Sequence, residues 1–136
     1  MKKEPKRNDL IYPELSYMIS GCAFSVFNSL GPGHLEKVYQ KAIAIALNTA
    51  GLNFHEQESV EVFYNNYSVG KGYVDFLVEE KIIIELKREI KSGRAYIKQV
   101  LNYLHSRRIP LAILINFTPT GVLIKRILAE EYYHKT

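Results

Sequence analysis

Residues 82–87 read Ile-Ile-Ile-Glu-Leu-Lys, and this run limits the fold more than any other part of the chain. Three consecutive isoleucines favour a buried strand, because β-branched side chains pack well on a pleated surface. Strand side chains alternate, so Ile83, Glu85 and Lys87 share one face, while Ile82, Ile84 and Leu86 take the other. Charged residues thus begin where a buried strand emerges. The preceding run, Tyr73-Val-Asp-Phe-Leu77, carries Asp75 on the face of Tyr73 and Leu77. If the two runs pair as a hairpin, loop length decides whether the carboxylates meet. A three-residue loop, Glu79-Glu80-Lys81, pairs Val78 with Ile82 and sets Asp75 opposite Glu85. A two-residue loop would put them on opposite faces.

Directly opposed strand residues have Cβ atoms about 4.5–5.5 Å apart, where like charges are destabilising. A stable fold places two carboxylates so only with something positive between them. A hard divalent cation fills that role, and Mg²⁺ accepts oxygen ligands from one or two carboxylates. Lys87 points to the same side, where it can bind phosphate or help activate a water. Taken alone, Asp…Glu-x-Lys is a weak pattern. A surface acid–base cluster on a half-exposed sheet is the alternative.

The rest of the chain supplies a setting for this hairpin. Its 136 residues make one domain of common size, 47% hydrophobic and 24% charged. No apolar run approaches the ~18–20 residues that span a bilayer, and residues 1–9 read as a flexible tail ahead of a single domain over 10–136. Pro13 suits a first helical turn, and Leu15, Met18, Ile19, Cys22, Val26 and Leu30 follow at helical spacing. Cys22 reads as a buried, reduced thiol, which with the absence of a signal sequence points to the cytoplasm and away from membranes. Gly31-Pro32-Gly33 ends that helix. A second runs over about 34–50, with Gly51 as its C-terminal cap.

After Gly51 the period changes to two. Val60, Val62 and Tyr64 alternate with polar neighbours, Asn65-Asn66 forms a hairpin turn, and a strand returns over 67–78, bent or bulged near Gly70 and Gly72. A third helix is expected over 94–106 and two more strands over 111–117 and 122–128. The order ααβββαββ makes an α/β (α+β) fold, with helices flanking a mixed sheet.

Charge is uneven along this chain. The net charge is +4, yet the window from Lys81 to Arg108 alone holds eight basic and two acidic residues. Such a block inside a mildly acidic remainder is the footprint of a phosphate-binding face. Arg88, Lys91, Arg94 and Lys98 surround Gln99, which shares a helix side with Tyr96 and Tyr103. These residues form a candidate nucleic-acid rim, with an ordinary helix surface as the alternative. On a wheel of 100° per residue, Glu36 falls within about 80° of Tyr39, Ile43 and Leu47, which aims a carboxylate along the apolar stripe toward the sheet. Stripe-edge snorkelling or a charge preference at the helix N-terminus is the alternative.

Gly33-His-Leu-Glu36-Lys-Val-Tyr39 is a G-x-x-E-x-x-Y match and resembles the signature of the GxxExxY family, placed in the PD-(D/E)XK nuclease superfamily. The resemblance runs from about Leu10 to Leu128. It also takes in Leu30-Gly-Pro-Gly33, Ile84-Glu-Leu-Lys87, Gln99-Val-Leu-Asn-Tyr-Leu104 and Leu114-Ile-Asn-Phe117. It implies a restriction-endonuclease-like core. The family's acidic D-motif residue falls on Asp75, its E-x-K on Glu85 and Lys87, its first-helix glutamate on Glu36 and its later-helix glutamine on Gln99. Val74 stands where the superfamily name has proline.

The expectation is therefore a Mg²⁺-dependent nuclease, with Mn²⁺ as a substitute, that hydrolyses DNA in preference to RNA. Asp75, Glu85 and the Leu86 carbonyl would hold the cation, Glu36 would complete its shell, Lys87 would serve the water and the phosphate, and Gln99 would orient the site. Tyr103 joins the basic rim as a nucleic-acid contact. Two rivals stay open: a nuclease fold kept only for binding nucleic acid or protein, and a structural protein with a surface charge cluster. A homodimer is compatible with the sequence, which does not set the oligomeric state.

Overall fold

The computed structural model describes residues 11–87 and 93–134, the side chains of 93–95 excepted. The expected tail, Arg88, Lys91 and the Arg94 side chain lie outside the described residues. Elements follow as α1 (Pro13–Leu30), α2 (Glu36–Thr49), β1 (Phe54–Tyr64), β2 (Tyr67–Val78), β3 (Ile82–Lys87), α3 (Gly93–Arg107), β4 (Leu111–Thr118) and β5 (Gly121–Leu128). A short 3₁₀ turn over Glu130–Tyr132, which no sequence pattern announced, follows β5. The ααβββαββ order stands as expected. No helix among the described residues is long and apolar enough to cross a membrane.

The strands form one sheet in chain order, antiparallel except for the parallel β3–β4 pair. Helix α3 makes the crossover that a parallel pair requires. Both faces of β3 and β4 are covered, which is why their sequences run apolar without alternation. Phe76, Val78, Ile82, Ile84, Leu86, Ile113 and Ile115 pack with α1 and α2 on one face. Leu77, Ile83, Ala112 and Leu114 pack with Val100, Tyr103 and Leu104 of α3 on the other. Cys22 is buried in the first of these cores, and burial pushes its thiol up from the ordinary range.

Two boundaries differ from the sequence reading. Helix α2 starts at Glu36, two residues late, because Gly33 adopts φ 91° and Leu35 is extended at φ −65°, ψ 151°. Strand β1 starts at Phe54, well before the alternation that begins at Val60, since an edge strand can carry His-Glu-Gln-Glu with no buried face. The hairpin turn lies at Asn65–Asn66, both at positive φ as a tight two-residue turn demands. The bulge falls beside Gly70: Val62 pairs with Gly70 and Phe63 with Ser68, leaving Val69 over.

The β1–β2 ribbon also turns its faces over. Phe54 and Val60 have the same parity, yet Phe54 packs on the α1–α2 side and Val60 joins the α3 core. Val74 and Phe76 of β2 divide the same way. The exchange falls at Gln57, whose φ is 49°, and at its opposite number Asp75. Beyond that point the ribbon is fastened to α3: Ser106 Oγ donates to the Glu61 carbonyl, and Arg107 donates to the Ser59 carbonyl and pairs with Glu58 at 3.1 Å.

Gly72 is what permits the close approach on this side. A Cβ there would lie 2.4 Å from the Tyr103 hydroxyl and 2.9 Å from its ring, whereas one at Gly70 meets nothing within 4 Å. Gly72→Ala should therefore destabilise the fold by about 1–3 kcal/mol through forced repacking. Gly70→Ala should be close to neutral. Urea denaturation of the two variants checks the contrast, and equal midpoints would contradict it.

Candidate active site

The β2–β3 hairpin turns through Glu79 and Glu80, at φ 53° and 55°, and Lys81 N–H donates to the Val78 carbonyl at 2.9 Å. Val78 pairs with Ile82, Leu77 with Ile83 and Phe76 with Ile84. One more step in that register brings Asp75 to Glu85, the meeting that the three-residue loop predicts. Backbone pairing stops at that step. In its place Asp75 N–H donates to Glu85 Oε1 at 2.8 Å, and Leu86 N–H donates to Asp75 Oδ2 at 2.7 Å. Each strand's carboxylate thus takes up an amide of the other strand, and the two acids sit in the fork between strands.

The remaining carboxylate oxygens are also directed. Gln57 Nε2 donates to Asp75 Oδ1 at 3.2 Å, and Tyr96 Oη donates to Glu85 Oε2 at 3.3 Å. Glu85 is only 6% exposed. Burial, and then the Asp75 charge, push its carboxyl from 4.5 up to about 7, against the opposing pull of its bonds and of Lys87. Burial raises Asp75 too, offset in part by the Leu86 amide, Gln57 and Lys87. Lys87 lies with its ammonium 4.6 Å from the centre of the Tyr96 ring, a cation–π contact that holds it beside the acids. Burial and the neighbouring carboxylates raise the Tyr96 phenol, so it stays a hydrogen-bond donor.

Three of these neighbours escaped the sequence reading as site residues. Gln57 was hidden in a polar stretch without strand alternation. Tyr96 was legible only as a face-mate of Gln99. Asn116 had a visible signal, a lone amide in the apolar run Leu-Ala-Ile-Leu-Ile-Asn-Phe. It pairs in register with Lys87, is 7% exposed, and its Oδ1 has no hydrogen-bond partner among the described residues.

Other expected residues take different stations. Gln99 is exposed and donates to Tyr103 Oη at 2.9 Å, one helical turn from Tyr96. Tyr103 is buried, so its ring belongs to the α3 core and not to an exposed rim. Lys98 is exposed on α3. The basic window does not form one face: Lys81 lies over the Tyr12 ring at the other end of β3, and Arg107 is paired with Glu58. Glu36 opens α2 and is exposed, not held in the apolar stripe, because the helix begins only at that residue. Its charge nonetheless acts on the Tyr96 phenol, which puts it at the same end of the sheet.

The G-x-x-E-x-x-Y motif accounts for that placement. Tyr39 Oη donates to the Gly31 carbonyl at 2.7 Å and accepts from His34 N–H, while its ring stacks on Phe117 at 4.2 Å. Phe117 follows Asn116 on β4, so the first turn of α2 is pinned where β3 and β4 end.

A family model for the PD-(D/E)XK nuclease superfamily matches residues 13–127. The chain belongs to that superfamily. No curated protein matches it significantly. Among solved structures, SSO0001 aligns with a TM-score of 0.55 and 18% identity over 94% of this chain and 69% of that one. The alkaline exonuclease LHK-Exo from Laribacter hongkongensis aligns at 0.53 and 16% over 96% of this chain and 73% of its own. At those identities the likeness is one of fold.

The centre of this superfamily member suits a hard cation. It offers two converging carboxylates whose mutual repulsion and burial both favour an added positive charge. Among the described residues no group of three or more His, Cys, Asp or Glu gathers, so Glu36 does not join Asp75 and Glu85 in one ligand cluster. Two carboxylates with waters are enough for Mg²⁺.

Without metal, the raised Glu85 carboxyl has a definite consequence. A folded-state value above the unfolded one contributes stability below about pH 4.5, which is lost as pH rises through about 7. The loss amounts to about 3 kcal/mol at most. Glu85→Gln removes this titration, so in chelator its stability should overtake the parent's between pH 5 and 8. Parallel pH profiles for the two proteins would contradict the electrostatics.

Proposed function

We propose that this protein is a GxxExxY-type, divalent-metal-dependent nuclease that cleaves phosphodiester bonds, with DNA preferred over RNA and Mg²⁺, or Mn²⁺ in its place, as the cation. The observation that carries the reading is the fork between β2 and β3, where two desolvated carboxylates converge beside Lys87. Asp75 and Glu85, with the Leu86 carbonyl, would hold the cation, and Glu36 would contribute through water from the end of α2. A bound divalent cation supplies Lewis acidity to the scissile phosphate and acidifies a water. The likeness in fold to an alkaline exonuclease supports the nuclease assignment.

The chain's own groups divide the remaining work. Gln57 and the Leu86 amide orient Asp75; Tyr96 and the Asp75 amide orient Glu85. Such fixed donors matter because carboxylates held in one geometry need no reorganisation during reaction. Lys87, held over Tyr96, would neutralise charge as it builds on the phosphate oxygens while water bonds to phosphorus and the P–O ester bond breaks. Gln99, tied to Tyr103, would orient the bound strand, with Lys98, Arg88, Lys91 and Arg94 contacting its phosphates.

A cleavage panel of single-stranded, duplex and branched DNA and of RNA, with Mg²⁺, Mn²⁺ or chelator, tests this directly. Lys87→Ala should lower cleavage of the best substrate by about 10²-fold or more while leaving the fold intact. Cleavage by Lys87→Ala at the parent's rate would assign the activity elsewhere.

A further inference from the structure

Strand β1 and helix α3 flank a partly open cavity of about 650 Å³, to which the proposed function assigns only Gln99 and Lys98. Its size falls within the roughly 300–1,000 Å³ of small-ligand sites. Glu61, Val62 and Phe63 of β1 form one wall, with the Glu61 carboxylate at one side, and α3 from Lys98 to Ser106 forms the other. The wall chemistry is specific. Phe63 is 56% exposed, an aromatic face with no core to pack in. Opposite it stand two exposed amides, Gln99 and Asn102, and the ammonium-bearing Lys98. An aromatic face, hydrogen-bonding amides and a cation are together what an unstacked base with its phosphate needs.

The cavity and the candidate centre share helix α3. Tyr96, which binds Glu85, lies on the same helix as Asn102, about 9 Å along its axis. Gln99 sits between them and is bonded to Tyr103, whose phenol feels the Glu85 charge. A strand with its scissile phosphate at Asp75 and Glu85 would thus run along α3 toward the cavity. The cavity's volume is of the order a single nucleotide needs, and the Ser106 and Arg107 bonds to β1 keep its walls together.

We infer that this cavity binds an unpaired nucleotide of the substrate strand, stacked on Phe63 and hydrogen-bonded by Asn102, so that the preferred substrate carries a single-stranded segment next to the cleaved bond. The inference rests on the nuclease reading for its substrate but not for its test. Fluorescence anisotropy in chelator, with a labelled oligothymidine and a duplex of equal length, reads binding without turnover. Phe63→Ala and Asn102→Ala should each weaken single-strand binding by about 5-fold or more and leave duplex binding unchanged. Thermal melts of both variants should match the parent, since both side chains are exposed. Unchanged single-strand affinity, an equal loss for duplex, or no oligonucleotide binding by the parent would overturn the site. Selective loss in a protein that cleaves nothing would uphold the site while overturning the catalytic reading.

Discussion

Two strands that pair up to Phe76 and Ile84 part at the next step, where each hands a backbone amide to the other's carboxylate. Much of the molecule's character follows from that exchange. Backbone amides cannot be left unbonded in a buried fork, so the carboxylates are held to fixed positions by the need to satisfy them. Glu85 is consequently buried and Asp75 half-buried beside it, and the fold retains charge repulsion that Glu85 expresses as a carboxyl raised to about 7. A pair of this kind is unfavourable for stability alone and becomes favourable when a cation binds between its members.

The surrounding elements are arranged to serve the fork. Tyr96 is placed by α3 with its hydroxyl on Glu85 and its ring under Lys87, so one side chain orients an acid and a base together. The face reversal at Gln57 and Asp75 carries the β1–β2 ribbon over α3, away from the fork, and leaves the cavity beside it. On the other side of the sheet, Tyr39 locks the Gly31–His34 loop and stacks on Phe117, which sets Glu36 at the same end. The G-x-x-E-x-x-Y motif therefore reads as a bracket: a glycine at positive φ, an acid at a helix start and an aromatic anchor one turn on.

The hairpin could be read from sequence because its logic is arithmetic. Strand period and loop length determine which residues of 73–78 and 82–87 face each other, and the buried isoleucines leave no room for a register slip. The helices were legible for a similar reason, their apolar spacing. What stayed hidden depends on contacts between distant elements. Gln57 sits opposite Asp75 only because an edge strand begins at Phe54, where no alternation marks it. The basic window looked like one face but is split by strand direction and by pairing, with Lys81 over Tyr12 and Arg107 on Glu58. Glu36 had the right helical phase, yet phase says nothing about where a helix starts, and as the first residue of α2 it is exposed.

The central claim is that Asp75 and Glu85 form a preformed cation site, and ligand-linked stabilisation tests it most directly. A ligand that binds only the native state raises its stability by RT ln(1 + [L]/Kd), about 2.7 kcal/mol at a hundred times Kd. Melting temperature followed against Mg²⁺ and Mn²⁺ near pH 7.5 should rise and saturate for the parent. For Asp75→Asn, which keeps an acceptor for the Leu86 amide but removes the charge, the rise should be largely abolished. A parent melting curve indifferent to both cations, or an Asp75→Asn protein stabilised as strongly as the parent, would contradict the account.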